Sequence, residues 1–343
     1  MSEHGQLAGL DLTALEQYVD VMGLARSAPL RADLVGGGRS NLTFRVTDGS
    51  SRWILRRPPL GHVEQGAHDV LREFRVMAGL TGSIVPVPRT VVACDDASVI
   101  GAPFYLMDEV GGDVLRSHDQ CEALSLDDRC AVGEALVDTL ADLHEVDPAD
   151  VGLATLGRPD GYLQRQLDRW RRQYHAIAVR DLPEVDRIGD LLQDKLPVGG
   201  AVAVVHGDFR IDNVIVDSVD RGRIAAVLDW EMATLGDPLA DLATLVMFWD
   251  EPGRPFNPIT GGLTAFEGFP SVDGVIQRYA SRRGVDADSL GWYLAFSQLR
   301  FAVILEQIHA RHVKGQTVGE GFDGIDVMVD EVLADAARTV RGL

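Results

Sequence analysis

The sequence predicts an α+β fold with two unequal parts, a small antiparallel β-sheet in residues 1–107 and a mainly helical part in residues 113–343. Apolar residues that alternate around a short turn predict the sheet, whereas spacings of three and four recur in the second part. A polar stretch with two glycines, DEVGG at 108–112, separates them and is typical of a hinge. A chain of 343 residues with 46% hydrophobic content is long enough for two such lobes.

The first predicted element is a β-hairpin. Leu42, Phe44 and Val46 alternate with polar residues, residues 48–50 (Asp-Gly-Ser) turn the chain, and residues 53–55 (Trp-Ile-Leu) return as the partner strand. An apolar run at 102–107 predicts a further strand directly before the hinge.

A helix is predicted between the hairpin and that strand, from about Glu64 to Leu80. Val70, Phe74 and Met77 form its apolar stripe. Glu73 borders this stripe, and a carboxylate at the edge of a buried face needs a cation nearby.

The part after the hinge is predicted to be mainly helical. Residues 129–146 carry apolar side chains at helical spacing, residues 162–176 form a basic amphipathic helix, and residues 290–309 form a strongly apolar helix. Short strands at 201–205, 214–216 and 224–228 lie between these helices.

The net charge of −20 excludes nucleic acid as the expected partner, because a phosphate backbone requires clustered Lys and Arg. Residues 1–107 hold 10 basic and 11 acidic residues, so the acidity belongs to residues 108–343. That acidity fits either attraction of a cationic substrate or an ordinary solvated surface. The sequence contains neither a signal peptide nor a membrane span, and the three cysteines lack metal-ligand spacing, so a cytoplasmic protein with reduced thiols is expected.

The most informative stretch is VVHGDFRIDNVIV, residues 204–216, which places polar residues between two buried strands. Asp208 and Asn213 lie five residues apart on this loop, and Asp229 ends the next strand. Oxygen ligands of this kind suit a divalent cation, with one carboxylate left over as a base. Magnesium-dependent phosphoryl transfer uses such a set.

The loop has two other interpretations. In the first, it is a plain turn whose polar residues only cap strands and helices. The sequence HGD also occurs in metallohydrolase ligand clusters, but such a cluster requires more histidines than this neighbourhood contains.

HGDFRIDN followed by VLDWE and DPLADLA resembles the aminoglycoside phosphotransferase family of small-molecule kinases over most of the chain. The resemblance implies a two-lobed protein-kinase-like fold and transfer of the ATP γ-phosphate to a small-molecule hydroxyl. It assigns the catalytic base to Asp208, and catalytic magnesium binding to Asn213 and Asp229. His206 and Asp241 would be structural supports.

The glycine-rich segment GGGRSN, residues 36–41, is not a P-loop, because no Gly-Lys-Ser/Thr follows. Before a hairpin it resembles the loop that covers ATP phosphates in kinases, which implies nucleotide contacts from Gly37, Gly38, Ser40 and Asn41. A plain flexible turn is the alternative.

The lysine that pairs with a helical glutamate in the family is replaced here by Arg56, and the glutamate corresponds to Glu73. Arginine binds phosphate and carboxylate bidentately, so the pair is expected to serve the nucleotide, with a purely structural pair as the alternative. The resemblance also implies that the hinge backbone of Asp108, Glu109 and Val110 recognises adenine.

GGGRSN, LRR, VPVPR, FYLMD and YLQRQLDRW together resemble the branch of kinase-like domains fused to acyl-CoA dehydrogenases, which implies a hydroxyacyl-CoA-like thioester as acceptor. The family name instead implies a cationic aminoglycoside. An anionic acceptor would suit the arginines of the basic helix, Arg165, Arg169, Arg171 and Arg172. A non-catalytic nucleotide-binding regulator is the competing class, and the sequence does not define the acceptor or the oligomeric state.

Overall fold

The computed structural model describes residues 7–35, 41–60, 69–198, 200–253, 260–316 and 322–343. A short helix, α1 (Leu12–Val21), precedes an antiparallel five-stranded sheet. The strands are β1 (Arg31–Leu34), β2 (Leu42–Thr47), β3 (Arg52–Arg57), β4 (Thr90–Cys94) and β5 (Phe104–Asp108), in the spatial order β1-β2-β3-β5-β4. The predicted antiparallel sheet is therefore confirmed.

The predicted hairpin is formed by β2 and β3, in which Phe44 lies opposite Leu55. Phe44, Val46, Trp53 and Leu55 are all buried, because alternate side chains of both strands point toward α1 and away from solvent. Strand β5 pairs with the other side of β3 and ends at Asp108, the first residue of the predicted hinge.

Helix α2 (Val70–Leu80) connects the sheet to the rest of the molecule. It begins at Val70, where the carboxylate of Asp69 caps the first turn by accepting a hydrogen bond from the Arg72 amide at 3.0 Å. The predicted start near Glu64 lies outside the described residues. The buried face contains Glu73 beside Val76 and Met77. The guanidinium of Arg72 donates to the carbonyls of Leu156 and Ala233, which ties the helix to the second lobe.

The second lobe is mainly helical, as predicted. Its helices are α3 (His118–Glu122), α4 (Leu126–Glu145), α5 (Tyr162–Ile177), α6 (Pro183–Asp194), α7 (Pro238–Met247), α8 (Val272–Arg283), α9 (Leu290–Val313) and α10 (Ile325–Arg341). No helix within the described parts of the chain combines the length and apolar character needed to cross a membrane.

Two pairs of short antiparallel strands carry the motif that the sequence singled out. Strand β6 (Ala203–Val205) pairs with β9 (Thr234–Gly236), and β7 (Val214–Val216) pairs with β8 (Ile224–Val227). The segments after β6 and β8, which carry Asp208 and Asp229, thus follow strands of different sheets. His206 joins them, because its Nε2 donates to the carbonyl oxygen of Leu228 at 2.8 Å.

The connection between the lobes passes close to β7. Asp113 and Val216 exchange backbone hydrogen bonds of 2.8 and 2.9 Å. Gly112, at φ 138°, has no room for a side chain there, since a Cβ atom would lie 2.5 Å from the carbonyl oxygen of Val216. In our proposed lobe boundary at 108–112, Asp108 is the last residue of β5 and the other four residues lie between β5 and α3.

Candidate active site

A cavity of about 460 Å³ lies between the sheet and the helical lobe. The sheet contributes Asn41, Ile54 and Arg56, the connection contributes residues 108–110, and the helical lobe contributes Asn213 and Asp229. Most of the residues proposed from the sequence as catalytic or nucleotide-binding thus face one cavity. Gly37, Gly38 and Ser40 lie outside the described residues, and Asn41 is the first described residue after them.

The loop after β6 holds Asp208 in a fixed orientation. The side-chain amide of Asn213, at the end of a 3₁₀ turn (Ile211–Asn213), donates to Asp208 Oδ2 at 3.0 Å and to its carbonyl oxygen at 2.9 Å. The Nε of Arg210 donates to the same carboxylate oxygen at 3.3 Å. Both Asn213 contacts use its nitrogen, so its Oδ1 makes no hydrogen bond among the described residues and is free to bind a cation.

Asp229 has a strained backbone. With φ 64° and ψ 61° it is the one non-glycine residue at positive φ in the described ranges, a conformation that costs about 1–3 kcal/mol. Its Oδ1 is buried without a hydrogen-bond partner, and Arg56 Nη2 is 3.6 Å away. Strain and an unsatisfied carboxylate oxygen at the same residue indicate a site built for a ligand.

The donor set fits magnesium. The amide oxygen of Asn213 and the unsatisfied Oδ1 of Asp229 are the hard oxygen ligands that this ion prefers, and both residues line the cavity. Because Mg²⁺ is usually held by one or two protein groups together with substrate phosphates and water, two such ligands at an open cavity suffice.

Arg56 and Glu73 meet in a buried polar network behind this position. Arg56 Nη1 lies 3.2 Å from Glu73 Oε2, the Tyr105 hydroxyl donates to the same oxygen at 2.9 Å, and the Asn41 amide donates to Oε1 at 3.0 Å. Glu73 is only 1% exposed, and burial raises its pKa to about 7 against the opposing charge of Arg56. Arg56 Nε has no hydrogen-bond partner.

Asp241 and His206, predicted as supports, form a second network beneath the loop. The Asp241 carboxylate accepts the backbone N–H groups of His206 and, at 2.8 Å, Gly207, and its Oδ2 is 3.3 Å from His144 Nε2. Burial opposes ionisation of Asp241, but these donors outweigh it and keep its pKa lowered. His206 Nδ1 accepts the Asp208 amide at 3.2 Å, so the imidazole links the loop to the residue that follows β8.

The connection exposes little free backbone to the cavity. The amide of Asp108 donates to the Arg89 carbonyl at 2.9 Å, and that of Glu109 donates to the Arg52 carbonyl at 3.1 Å. Val110, which also lines the cavity, has an amide with no partner among the described residues. The side chains of Asp108 and Glu109 pair with exposed arginines at the rim.

The arginines of α5 have different environments. Arg171 pairs with Asp186 and Asp190 on α6, and Arg165 donates to the carbonyls of Arg158 and Asp160 before its own helix. The guanidinium of Arg169 lies over the ring of Trp170, 5.5 Å from its centre, and Arg172 is exposed. The four side chains therefore do not form one cationic surface.

Sequence reasoning missed three residues of the site. Arg210 and Glu231 lie two positions after Asp208 and Asp229, so their places in the motifs were available signals. The carboxylate of Glu231 groups with those of Glu73 and Asp229, all ligand oxygens lying within 4.8 Å of one another. Arg300, on α9, donates to the carbonyl of Gly207 beside the proposed base, and nothing in the sequence links it to a loop 93 residues earlier.

Comparison with known proteins identifies the family. The family model described as "Phosphotransferase enzyme family" matches residues 32–274. Acyl-CoA dehydrogenase family member 11 of Rattus norvegicus is 35% identical over 319 residues, which cover 90% of this chain but 41% of that protein. Viomycin phosphotransferase of Streptomyces vinaceus is 34% identical over 111 residues, 32% of this chain and 33% of that protein.

Solved structures support the same assignment. A Ralstonia eutropha protein assigned to the aminoglycoside phosphotransferases superimposes with a TM-score of 0.83 at 30% identity, covering 97% of this chain and 98% of that chain. Aminoglycoside phosphotransferase APH(4)-Ia, in complex with ADP and hygromycin B, has a TM-score of 0.64 at 17% identity, covering 95% and 98%, and so supports the fold. The chain belongs to the phosphotransferase enzyme family and has a two-lobed protein-kinase-like α+β fold.

Proposed function

We propose that this protein transfers the γ-phosphate of ATP to a hydroxyl group of a small molecule, with Mg²⁺ and with Asp208 as the base. The observation that carries the proposal is the cavity that Asn213 and Asp229 line beside Asp208, with an unsatisfied oxygen on Asp229. Phosphoryl transfer requires mainly positioning and charge stabilisation, and this arrangement supplies both.

Each side chain of the loop then has a defined role. The Asp208 carboxylate accepts the proton of the acceptor hydroxyl. At the same time the hydroxyl oxygen bonds to the γ-phosphorus, and the bond between that phosphorus and the ADP oxygen breaks. Asn213 fixes the orientation of that carboxylate through its amide nitrogen. When bound, Mg²⁺ neutralises phosphate charge, and Asn213 and Asp229 are the residues that would hold it.

Arg56 is proposed to replace the family's lysine at the nucleotide phosphates. Its Nη1 is held by Glu73, whereas its Nε has no partner and the residue lines the cavity. A guanidinium presents several donors in a plane, so one edge binds the carboxylate while another is available to phosphate. Asn41 contributes from the end of the glycine-rich segment.

Adenine is proposed to bind at the connection, where Val110 supplies a free backbone amide within the cavity wall. Asp108 and Glu109 form part of the cavity wall but offer no free amide to the base, because their amides already donate to the carbonyls of Arg89 and Arg52. Ile54 and Met107 supply apolar surface for the base on the sheet side.

For the acceptor we propose a hydroxyacyl-CoA-like thioester. The relatives named as acyl-CoA dehydrogenases match most of this chain, which suggests chemistry on related acyl compounds. Arg300 contacts the loop of Asp208, and Arg169 lies beside the same tryptophan as Arg300. Screening limits long-range attraction by the acidic lobe to about 8 Å at physiological ionic strength, so charges near the loop dominate.

A cationic aminoglycoside is the second candidate, because the Ralstonia eutropha protein described as an aminoglycoside phosphotransferase is 30% identical and the net charge is −20. A non-catalytic regulator is a third, favoured by arginine at position 56. ADP release measured with a 3-hydroxyacyl-CoA, kanamycin and no acceptor separates the three. We expect turnover with the thioester that Asp208→Asn abolishes. Turnover with kanamycin alone would select the second candidate, and nucleotide binding without turnover on any acceptor would select the third.

A further inference from the structure

Two arginines beside Trp170 have no acidic partner among the described residues. Arg300, half-buried on α9, and Arg169, exposed on α5, each place a guanidinium 5.5 Å from the ring centre of Trp170. No carboxylate lies within 4.0 Å of either guanidinium in the ranges that the structure describes. On the same helix Arg171 pairs with two aspartates.

The two positive charges repel each other, because both guanidinium groups lie beside the same indole ring. Burial and the neighbouring Arg300 both lower the pKa of Arg169, although its side chain remains exposed to solvent. In a chain with net charge −20, acidic partners are abundant, yet neither group has one among the described residues. Like charges brought together without a counter-ion are typical of anion-binding sites.

The location connects the pair to the reaction. Arg300 Nη2 donates to the carbonyl of Gly207, the residue before Asp208, and lies 3.3 Å from the sulfur of Met232, three residues after Asp229. Consecutive Cα atoms are about 3.8 Å apart, so an anion on Arg300 lies close to the proposed base. Trp170 Nε1 is a further buried donor without a partner.

We propose that Arg169 and Arg300, both beside Trp170, bind an anionic group, phosphate or carboxylate, of the phosphoryl acceptor. The inference rests on the proposed function, since it assigns a subsite to the acceptor of that reaction. Arg165 and Arg171 are excluded from it, because carbonyl oxygens and aspartates already occupy their donors.

Binding measured by calorimetry tests the subsite without turnover. The protein is first saturated with AMP-PNP and Mg²⁺, so that the adenosine part of coenzyme A does not enter the nucleotide site. It is then titrated with 3-hydroxybutyryl-CoA, with the uncharged N-acetylcysteamine thioester of the same acid, and with free 3-hydroxybutyrate. Variants are Arg169→Gln and Arg300→Gln, and the matched control is Arg172→Gln, an exposed arginine on the same helix.

We expect both subsite variants to weaken binding of an anionic probe at least tenfold. Arg172→Gln is expected to bind the anionic probes as tightly as the wild type, and the uncharged thioester is expected to bind all variants equally. If only 3-hydroxybutyryl-CoA binds more weakly to the variants, the anionic group is a coenzyme phosphate. If free 3-hydroxybutyrate binds more weakly, the anionic group is a carboxylate. Both results support the proposal. Equal affinity of wild type and Arg169→Gln for every anionic probe overturns it. Arg169 has no bond to the loop, so this variant remains informative if Arg300→Gln disturbs folding.

Turnover separates this inference from the proposed function. If anions bind through the two arginines but no acceptor yields ADP from ATP, the proposed kinase reaction fails and the subsite stands. If ADP forms and Arg169→Gln leaves the acceptor KM unchanged, the subsite fails and the reaction stands. The KM for ATP, measured in the same assays, is expected to stay constant in Arg169→Gln.

Discussion

The two aspartates proposed for the site differ in their surroundings. Asp208 has its carboxylate held by Asn213 and Arg210 and is proposed as the base, whereas Asp229 has an unsatisfied oxygen and is proposed as a metal ligand. These assignments are distinguishable, because a base acts on the rate of transfer and a metal ligand acts on the bound nucleotide.

Asp208→Asn is therefore expected to lower kcat by a factor on the order of 10² to 10⁴, the usual contribution of a general base, and to leave the affinity for Mg²⁺ and AMP-PNP within about twofold. Asp229→Ala is expected to weaken nucleotide affinity only when magnesium is present. Fluorescent-nucleotide titrations with and without EDTA measure both. Full activity in Asp208→Asn would exclude Asp208 as the base.

Arg56→Ala is expected to raise the KM for ATP by about tenfold to a hundredfold, since a hydrogen bond to a charged group contributes about 1.5–3 kcal/mol. Arg56→Lys recovers part of this loss, because the charge returns without the planar geometry. Steady-state kinetics at saturating acceptor provide the test. An unchanged KM in Arg56→Ala would favour a purely structural pair with Glu73.

Glu73 is expected to make stability depend on pH. Its pKa rises from an ordinary 4.5 to about 7 on folding through burial, so the folded state holds its proton longer than the unfolded state. The sign follows: raising the pH from 4.5 to 7 removes stability, and above 7 no further loss occurs. Between pH 4.5 and 7, measured without nucleotide, the Tm of the wild type should fall relative to the Tm of Glu73→Gln. A pH-independent difference would contradict the buried carboxyl.

At the scale of elements, the connection between the lobes depends on its contact with β7. The bridge from Asp113 to Val216 brings the connection against that strand, and the close approach at Gly112 leaves no space for a Cβ atom. Because Val110 lies two residues earlier in the cavity wall, this bridge also positions the proposed adenine site.

Gly112→Ala is expected to destabilise the protein by about 1–3 kcal/mol, through positive φ and contact with Ile215 and Val216, and to raise the KM for ATP. Gly111→Ala is the matched control, because a Cβ atom there meets no atom within 4 Å. Urea denaturation and ATP kinetics of the two variants provide the comparison. Equal stability of both would show that the connection can shift away from β7.

At the scale of the whole molecule, the buried residues of the described parts form two hydrophobic cores. One is formed by α1 and the sheet, with Phe44 and Phe104, and the other extends through the helical lobe. Helix α2 belongs to the second core although its chain position is within the first lobe, because Val76 and Met77 pack there. A nucleotide in the cavity contacts both lobes and is expected to stabilise them together.

Mg²⁺ with AMP-PNP at a hundred times its Kd is accordingly expected to stabilise the folded chain by about 2.7 kcal/mol and to raise Tm. EDTA, or the substitution Asp229→Ala, removes the metal-dependent part of that increase. Differential scanning fluorimetry with AMP-PNP, with and without Mg²⁺, measures it. A Tm increase that is identical with EDTA would exclude Asn213 and Asp229 as the metal ligands.

The sequence by itself determined the α+β class, the antiparallel sheet, the helical second lobe and the motifs of Asp208, Asn213 and Asp229. These follow from local periodicity and from chemistry concentrated in short segments, which a linear pattern retains. Only the tertiary structure showed that Arg300 reaches the loop from a helix 93 residues later, that Arg171 is neutralised by α6, and that the Asp229 oxygen is unsatisfied. Such contacts depend on how distant elements pack, and packing is decided by the buried surfaces of the whole chain, which no single segment of sequence contains.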